Sequence, residues 1–138
     1  MMRIQISIVL PVLLVIFQRD AFPQAPSAST EFALDSVGVQ VIGDYGSACY
    51  TSTRYIVVQK SIPDDVDSDF FIRSAKTGRC DTDSLAGDVV LRDEWAGYFS
   101  GMRGDVLLID SGTGPDIRDL VLVDMKDGRH IAVVPYKE

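Results

Sequence analysis

The chain is short of the residues on which most protein chemistry depends. Its 138 residues include one His, two Cys and one Trp. One His and two Cys cannot assemble a four-ligand Cys/His zinc site from a single chain. Positive charge is scarce as well: 13 Lys and Arg stand against 20 Asp and Glu, a formal net charge of −7. Lys and Arg supply most of the attraction to nucleic-acid phosphates, so no nucleic-acid partner is expected. Glu occurs only at 31, 94 and 138, so Asp carries the acidity. Asp favours turns because its short side chain bonds nearby backbone, which makes turn chemistry and solubility the first explanation of that charge. There is no Gly-Lys-Ser/Thr, no Gly-x-Gly-x-x-Gly and no Gly-x-Ser-x-Gly, so phosphate loops, dinucleotide turns and nucleophile elbows are missing and no cofactor is expected. No internal repeat stands out. The length is too small for two ordinary domains, and 46% hydrophobic residues are too many for a wholly disordered chain.

What is present begins with an address. Met1-Met2-Arg3 is a short basic start, and Ile4 to Phe17 is an uncharged, mostly aliphatic run. Small residues and Pro follow at Ala25-Pro26-Ser27-Ala28-Ser29. This is the layout of a secretory signal peptide over residues 1–29, cleaved after one of residues 25–29. As a helix the 14-residue run spans about 21 Å, short of a bilayer core of about 30 Å, so no stable membrane span is expected after cleavage. The expected location is therefore exported, periplasmic or extracellular. A cut after Ser29 leaves 11 basic and 19 acidic residues, a net of −8. Outside the cytosol two thiols usually pair, so Cys49 and Cys80 are expected to form a disulfide. The closed loop of 32 residues gives roughly 3.7 kcal/mol in the chain-entropy picture.

Residues 30–138 read as a single all-β domain, a small antiparallel sandwich, barrel or meander. Alternation suggests a strand near 36–42, and Tyr50 to Gln59 is rich in Thr, Tyr, Ile and Val. Further strands are expected at Phe70 to Arg73, Val89 to Leu91, Trp95 to Ser100, Val106 to Asp110, Ile117 to Met125 and His130 to Val134. Gly43 to Ser47, Lys76 to Gly78, Gly101 to Gly104 and Lys126-Asp127-Gly128 carry turn chemistry, the last as an Asp-Gly hairpin signal. Pro63 to Ser68 reads as an acidic loop, and the 70–72 segment is a candidate edge strand. After residue 30 there is no three-turn helical stripe.

Several motifs carry chemistry in other proteins. Val106-Leu107-Leu108-Ile109-Asp110-Ser111-Gly112-Thr113-Gly114 resembles the aspartic protease signature, which implies an Asp that shares a water and a proton with a second Asp. The match covers nine residues, no second Asp-Ser/Thr-Gly exists, and 28 residues remain after Asp110. A strand and its following loop is the expectation. Asp64, Asp65, Asp67 and Asp69 have a spacing that can gather carboxylates around a hard cation. The helix-loop-helix calcium pattern fails, because Phe70 and Lys76 stand where Gly and Glu are required, and a solvated loop with no bound metal is expected. His130, at the start of the last strand, has no elbow or triad pattern to serve.

The segment Trp95 to Gly104 holds the only Trp, two further aromatics, a Met and an Arg between glycines. Trp, Tyr and Arg dominate binding hot spots, so Tyr98, Ser100, Gly101, Met102 and Arg103 are the binding candidates, with an exposed loop tip expected at Ser100 to Arg103. Ser100-Gly101 is similar, at two residues, to the Ser-Gly loop that periplasmic lysozyme inhibitors push into the lysozyme cleft. The Tyr of that loop is missing, since Gly104 and Asp105 follow Arg103. The expected function is a non-enzymatic binding module, an inhibitor or immunity-type protein with a basic partner such as a lysozyme. The alternatives are a structural or accessory envelope protein and, behind it, an Asp-dependent hydrolase or calcium-binding module. Oligomeric state is left open.

Overall fold

The computed structural model describes residues 33–92, 97–112, 114 and 117–137. The expected leader lies outside them, as do Trp95 and Ala96. Within the described residues the chain is all-β, with nine strands and no helix. Strands β1 (Gly38–Val41), β2 (Ala48–Thr51), β3 (Tyr55–Ser61), β4 (Ser68–Ser74) and β5 (Val89–Leu91) form one antiparallel sheet in chain order. Strands β6 (Gly97–Arg103), β7 (Val106–Ser111), β8 (Arg118–Asp124) and β9 (His130–Tyr136) form a second, also in chain order.

Period-two alternation sends one set of side chains from each sheet into a shared core. Val57, Phe70 and Ile72 come from the first sheet; Met102, Leu107, Ile109, Val121 and Val123 come from the second. Two antiparallel sheets that bury their facing sides in this way make a small β-sandwich. The stack of Tyr50 on Phe99 closes one side of the core, with ring centroids 3.7 Å apart.

The first sheet is covered on its other face too. Cys49, Ile56, Val58 and Phe71 form a second buried cluster against Ala75, Cys80 and Val90. The segment 75–88 lies over it, stapled by the Cys49–Cys80 disulfide with Cα atoms 5.7 Å apart. Arg73 holds the same segment from beneath. Its guanidinium, 5% exposed as a residue, donates to the carbonyls of Arg79, Asp81 and Asp83 and to the Asp88 carboxylate at 2.7 Å. Burial on both faces explains why β4 reads Phe-Phe-Ile rather than as an alternating strand.

Four expectations are corrected. The 50–59 segment is two strands, because Ser52 Oγ accepts from the amides of Arg54 and Tyr55 and makes a tight turn without Gly. The 70–72 segment is no edge, since β4 lies between β3 and β5. The strand expected at 95–100 runs on to Arg103. The turn expected at 101–104 is the pair Gly104-Asp105, where Gly104 takes φ +58, the backbone that glycine adopts at no steric cost.

Candidate functional site

The five binding candidates all lie on β6, and they do not share an environment. A bulge between Phe99 and Gly101 leaves Ser100 as the extra residue. A bulge re-aims the side chains that follow it. Beyond it Met102 turns into the core, 0% exposed, and Gly101 is buried. A Cβ on Gly101 would come within 2.7 Å of Leu34 Cδ1. The exposed tip expected at Ser100 to Arg103 is thus corrected for Gly101 and Met102. Ser100 and Arg103 are exposed on the strand itself. Tyr98, 47% exposed, points outward.

Tyr98 is the candidate that meets other chemistry-bearing residues. It lines a groove of about 570 Å³ with Phe99, Tyr50, the Tyr45-Gly46 turn and the acidic loop Pro63 to Asp67. Tyr98 and the Asp loop are more than 30 residues apart in sequence, and the fold brings them together. Gln59, buried at 6%, joins the sheets at the groove. Its Oε1 accepts from Phe99 N at 2.9 Å, and its Nε2 donates to Ser68 Oγ at 3.4 Å. Phe99 N lies on an edge strand, so Gln59 replaces a ladder partner there. Tyr45 is 72% exposed at the rim. Burial raises the Tyr50 hydroxyl above the ordinary tyrosine range, which keeps that wall neutral.

Among the described residues the groove's lining holds Asp64, Asp65 and Asp67 and no Lys, Arg or His. These carboxylates are not gathered on one point. Asp65 Oδ1 accepts from the amides of Val66 and Asp67 at 2.7 and 3.3 Å. Asp69 lies outside the groove and pairs with Arg92 at 3.4 Å. Among the described residues no group of three or more His, Cys, Asp or Glu side chains is placed to hold a metal. Tyr45 and Asp64 have φ of 61° and 62°, and they are the non-glycine residues with positive φ among those described. Both line the groove.

Asp110 lies elsewhere, on β7. Its carboxylate accepts from Arg118 Nε at 2.9 and 3.1 Å and from Tyr136 Oη at 2.7 Å, and Arg118 Nη2 pairs with it at 2.8 Å. The Arg118 hydrogen bonds, helped by Tyr136, hold its pKa below the usual carboxylate range against the opposing effect of burial. Asp110 thus joins one ion pair, to Arg118, and one hydrogen bond, from Tyr136. His130 is exposed at the start of β9, opposite Val123.

Comparison of the chain with known protein families, curated proteins and solved structures gives no match. The groove has one local signal in the sequence, the acidic loop. Its nearness to Tyr98 depends on β3 and β4 lying over β6, which no local pattern encodes.

Proposed function

We propose that this chain is an exported acidic binding module that neutralises a basic partner protein, secreted or cell-wall-directed, such as a lysozyme. It acts by occupancy, as an inhibitor or immunity protein does, without catalysis of its own. The observation that carries the reading is the composition of the groove beside β6: Asp64, Asp65, Asp67, three tyrosines and Phe99, with no cation among the described residues of the lining. A partner's Lys or Arg can set its charge against the carboxylates while its stem or guanidinium plane rests on tyrosine rings. Left-handed backbones at Tyr45 and Asp64 add support, because strain of this kind clusters at ligand-contacting sites. The net −8 of residues 30–138 speeds encounter with a basic surface and selects for it.

The test is calorimetric titration of the oxidised protein with a panel of basic secreted proteins, a lysozyme among them, at low and high salt. Saturable binding at low salt, weaker at high salt, is expected. Tyr98→Ala, or Asp64→Asn, which keeps a residue tolerant of the left-handed backbone, should weaken it about tenfold, the loss typical of a hot-spot residue. Binding that ignores both substitutions removes the groove from the interface.

One observation favours a structural or accessory role instead. The outer strands β1 and β9 expose Val39, Val41, Val133 and Val134, and an apolar edge invites strand pairing. Light scattering that finds a stable self-associated form, with no basic protein bound, selects that reading.

A further inference from the structure

A second site lies at the other end of the sandwich. Strand β3 runs from Tyr55 to Ser61, about 20 Å at the rise of a strand. Ser61 borders the acidic groove; Tyr55 borders a pocket of about 480 Å³. This pocket has the opposite charge. Arg54, Arg73, Lys76 and Lys126 line it, and among the described residues no carboxylate does. The Arg73 guanidinium is committed elsewhere, to the carbonyls of segment 79–83 and to Asp88. In a chain with 13 cations against 20 acids, three converging cations are a local inversion of the overall charge.

The cations are held in place. Asp105, on the β6–β7 turn, pairs with Arg54 Nη2 at 2.7 Å and with Lys126 Nζ at 3.0 Å, and accepts from Tyr55 Oη at 2.7 Å. The Arg54 guanidinium also lies 5.5 Å from the Tyr55 ring centroid. One carboxylate thus fixes two cations and leaves the cluster of four with a net charge of about +2, since Lys76 is exposed and makes no ion pair among the described residues. The hydrogen bond to Asp105 keeps Lys126 protonated well above neutrality. Behind the charges the wall is apolar: half-buried Val89 lines it together with Ile72 and Met125 of the core. The Thr53 and Ser74 residues add polar lining.

We infer that this pocket binds a phosphate-bearing small molecule, with Arg54, Lys76 and Lys126 on the phosphate and the apolar wall against its body. Two positive charges match a phosphate dianion better than a carboxylate, and an Arg fork beside two ammoniums suits its several oxygens. Asp124 also acts on Lys126 and Tyr55, but it is itself paired with Arg129 Nη2 at 3.7 Å, and charges more than a Debye length of about 8 Å away are screened at physiological salt. This inference is independent of the groove and of its partner.

The test is an NMR titration of the isotope-labelled, oxidised full chain with three probes in turn: inorganic phosphate, glycerol phosphate and acetate, at constant ionic strength. Phosphate and glycerol phosphate should give saturable shifts at Arg54, Tyr55, Lys76 and Lys126, the ester binding more tightly through its body. Acetate should bind at least tenfold more weakly. Lys76→Gln, at an exposed side chain, should weaken phosphate about tenfold, and so should Lys126→Gln, with the spectrum elsewhere unchanged. Linear, non-saturating shifts with phosphate overturn the site, as does phosphate binding unaffected by both substitutions. Equal affinity for acetate overturns the assignment to phosphate. Groove residues such as Tyr98 should not shift in any arm.

Discussion

Gln59 is the residue whose role is least visible along the chain and most definite in space. It sits in a run of β-formers, where a glutamine reads as a solvent-facing position. Instead it faces the gap between the sheets and satisfies Phe99 N on one side and Ser68 Oγ on the other. Gln59→Leu keeps the volume and strands both partners. The expected cost is about 1–3 kcal/mol, the penalty for unsatisfied buried polar groups, measured as a lower denaturant midpoint with the slope unchanged. Met102 teaches the same lesson in reverse. Its neighbours Ser100, Gly101 and Arg103 have loop character, but one extra residue at the bulge turns its side chain into the core. A bulge changes the phase of alternation without leaving a mark in composition.

At the scale of elements, strands were legible wherever one face is buried and the turn uses Gly. The β8–β9 hairpin is the clearest case. Its Asp-Gly signal coincides with Gly128 at φ +75, and Gly128 N donates to Asp124 O at 2.8 Å. The β2–β3 turn was hidden because a serine side chain supplies what glycine usually does. Segment 75–88 was hidden for another reason: it has no regular structure, and it is ordered by Arg73 and by the disulfide. Replacing both cysteines by Ala is expected to lower stability by roughly 3–4 kcal/mol. Hydrogen exchange should rise first at Val58 and Phe71, the residues that the segment covers. Protection that stays unchanged there would mean that Arg73 alone holds the cover.

For the whole molecule, the ion pairs set a pH window. Hydrogen bonds hold the pKa values of Asp105 and Asp110 below the usual carboxylate range, from Tyr55 and Lys126 in one case and mainly from Arg118 in the other. Groups with lowered folded values stabilise above the unfolded value of about 3.9 and lose that contribution as pH falls through the folded value. The phenol partners behave oppositely. Tyr55 is raised by burial and by Asp105, and Tyr136 by its hydrogen bond to Asp110. Their contribution is present below about 10 and fades as pH rises through the folded values. Stability should therefore be flat between about pH 5 and 9 and fall on both sides. In Asp110→Asn the protein should be less stable at neutral pH and its acid limb shallower. An acid limb as steep as that of the unsubstituted protein would remove Asp110 from the account.

By itself the sequence determined the all-β class, the short strands with their Asp-rich turns, the pairing of Cys49 with Cys80, and the acidity. Each is a local or compositional property: alternation, turn chemistry, two thiols, a count of charges. Only the tertiary structure decided which face of β6 is core, that a buried arginine pins the 75–88 cover, and that Tyr98 meets the Asp64–Asp67 loop while Arg54, Lys76 and Lys126 converge at the far end. These depend on the register between strands and on how two sheets lie against each other. That packing acts between residues far apart along the chain, and a one-residue shift in register reverses its outcome.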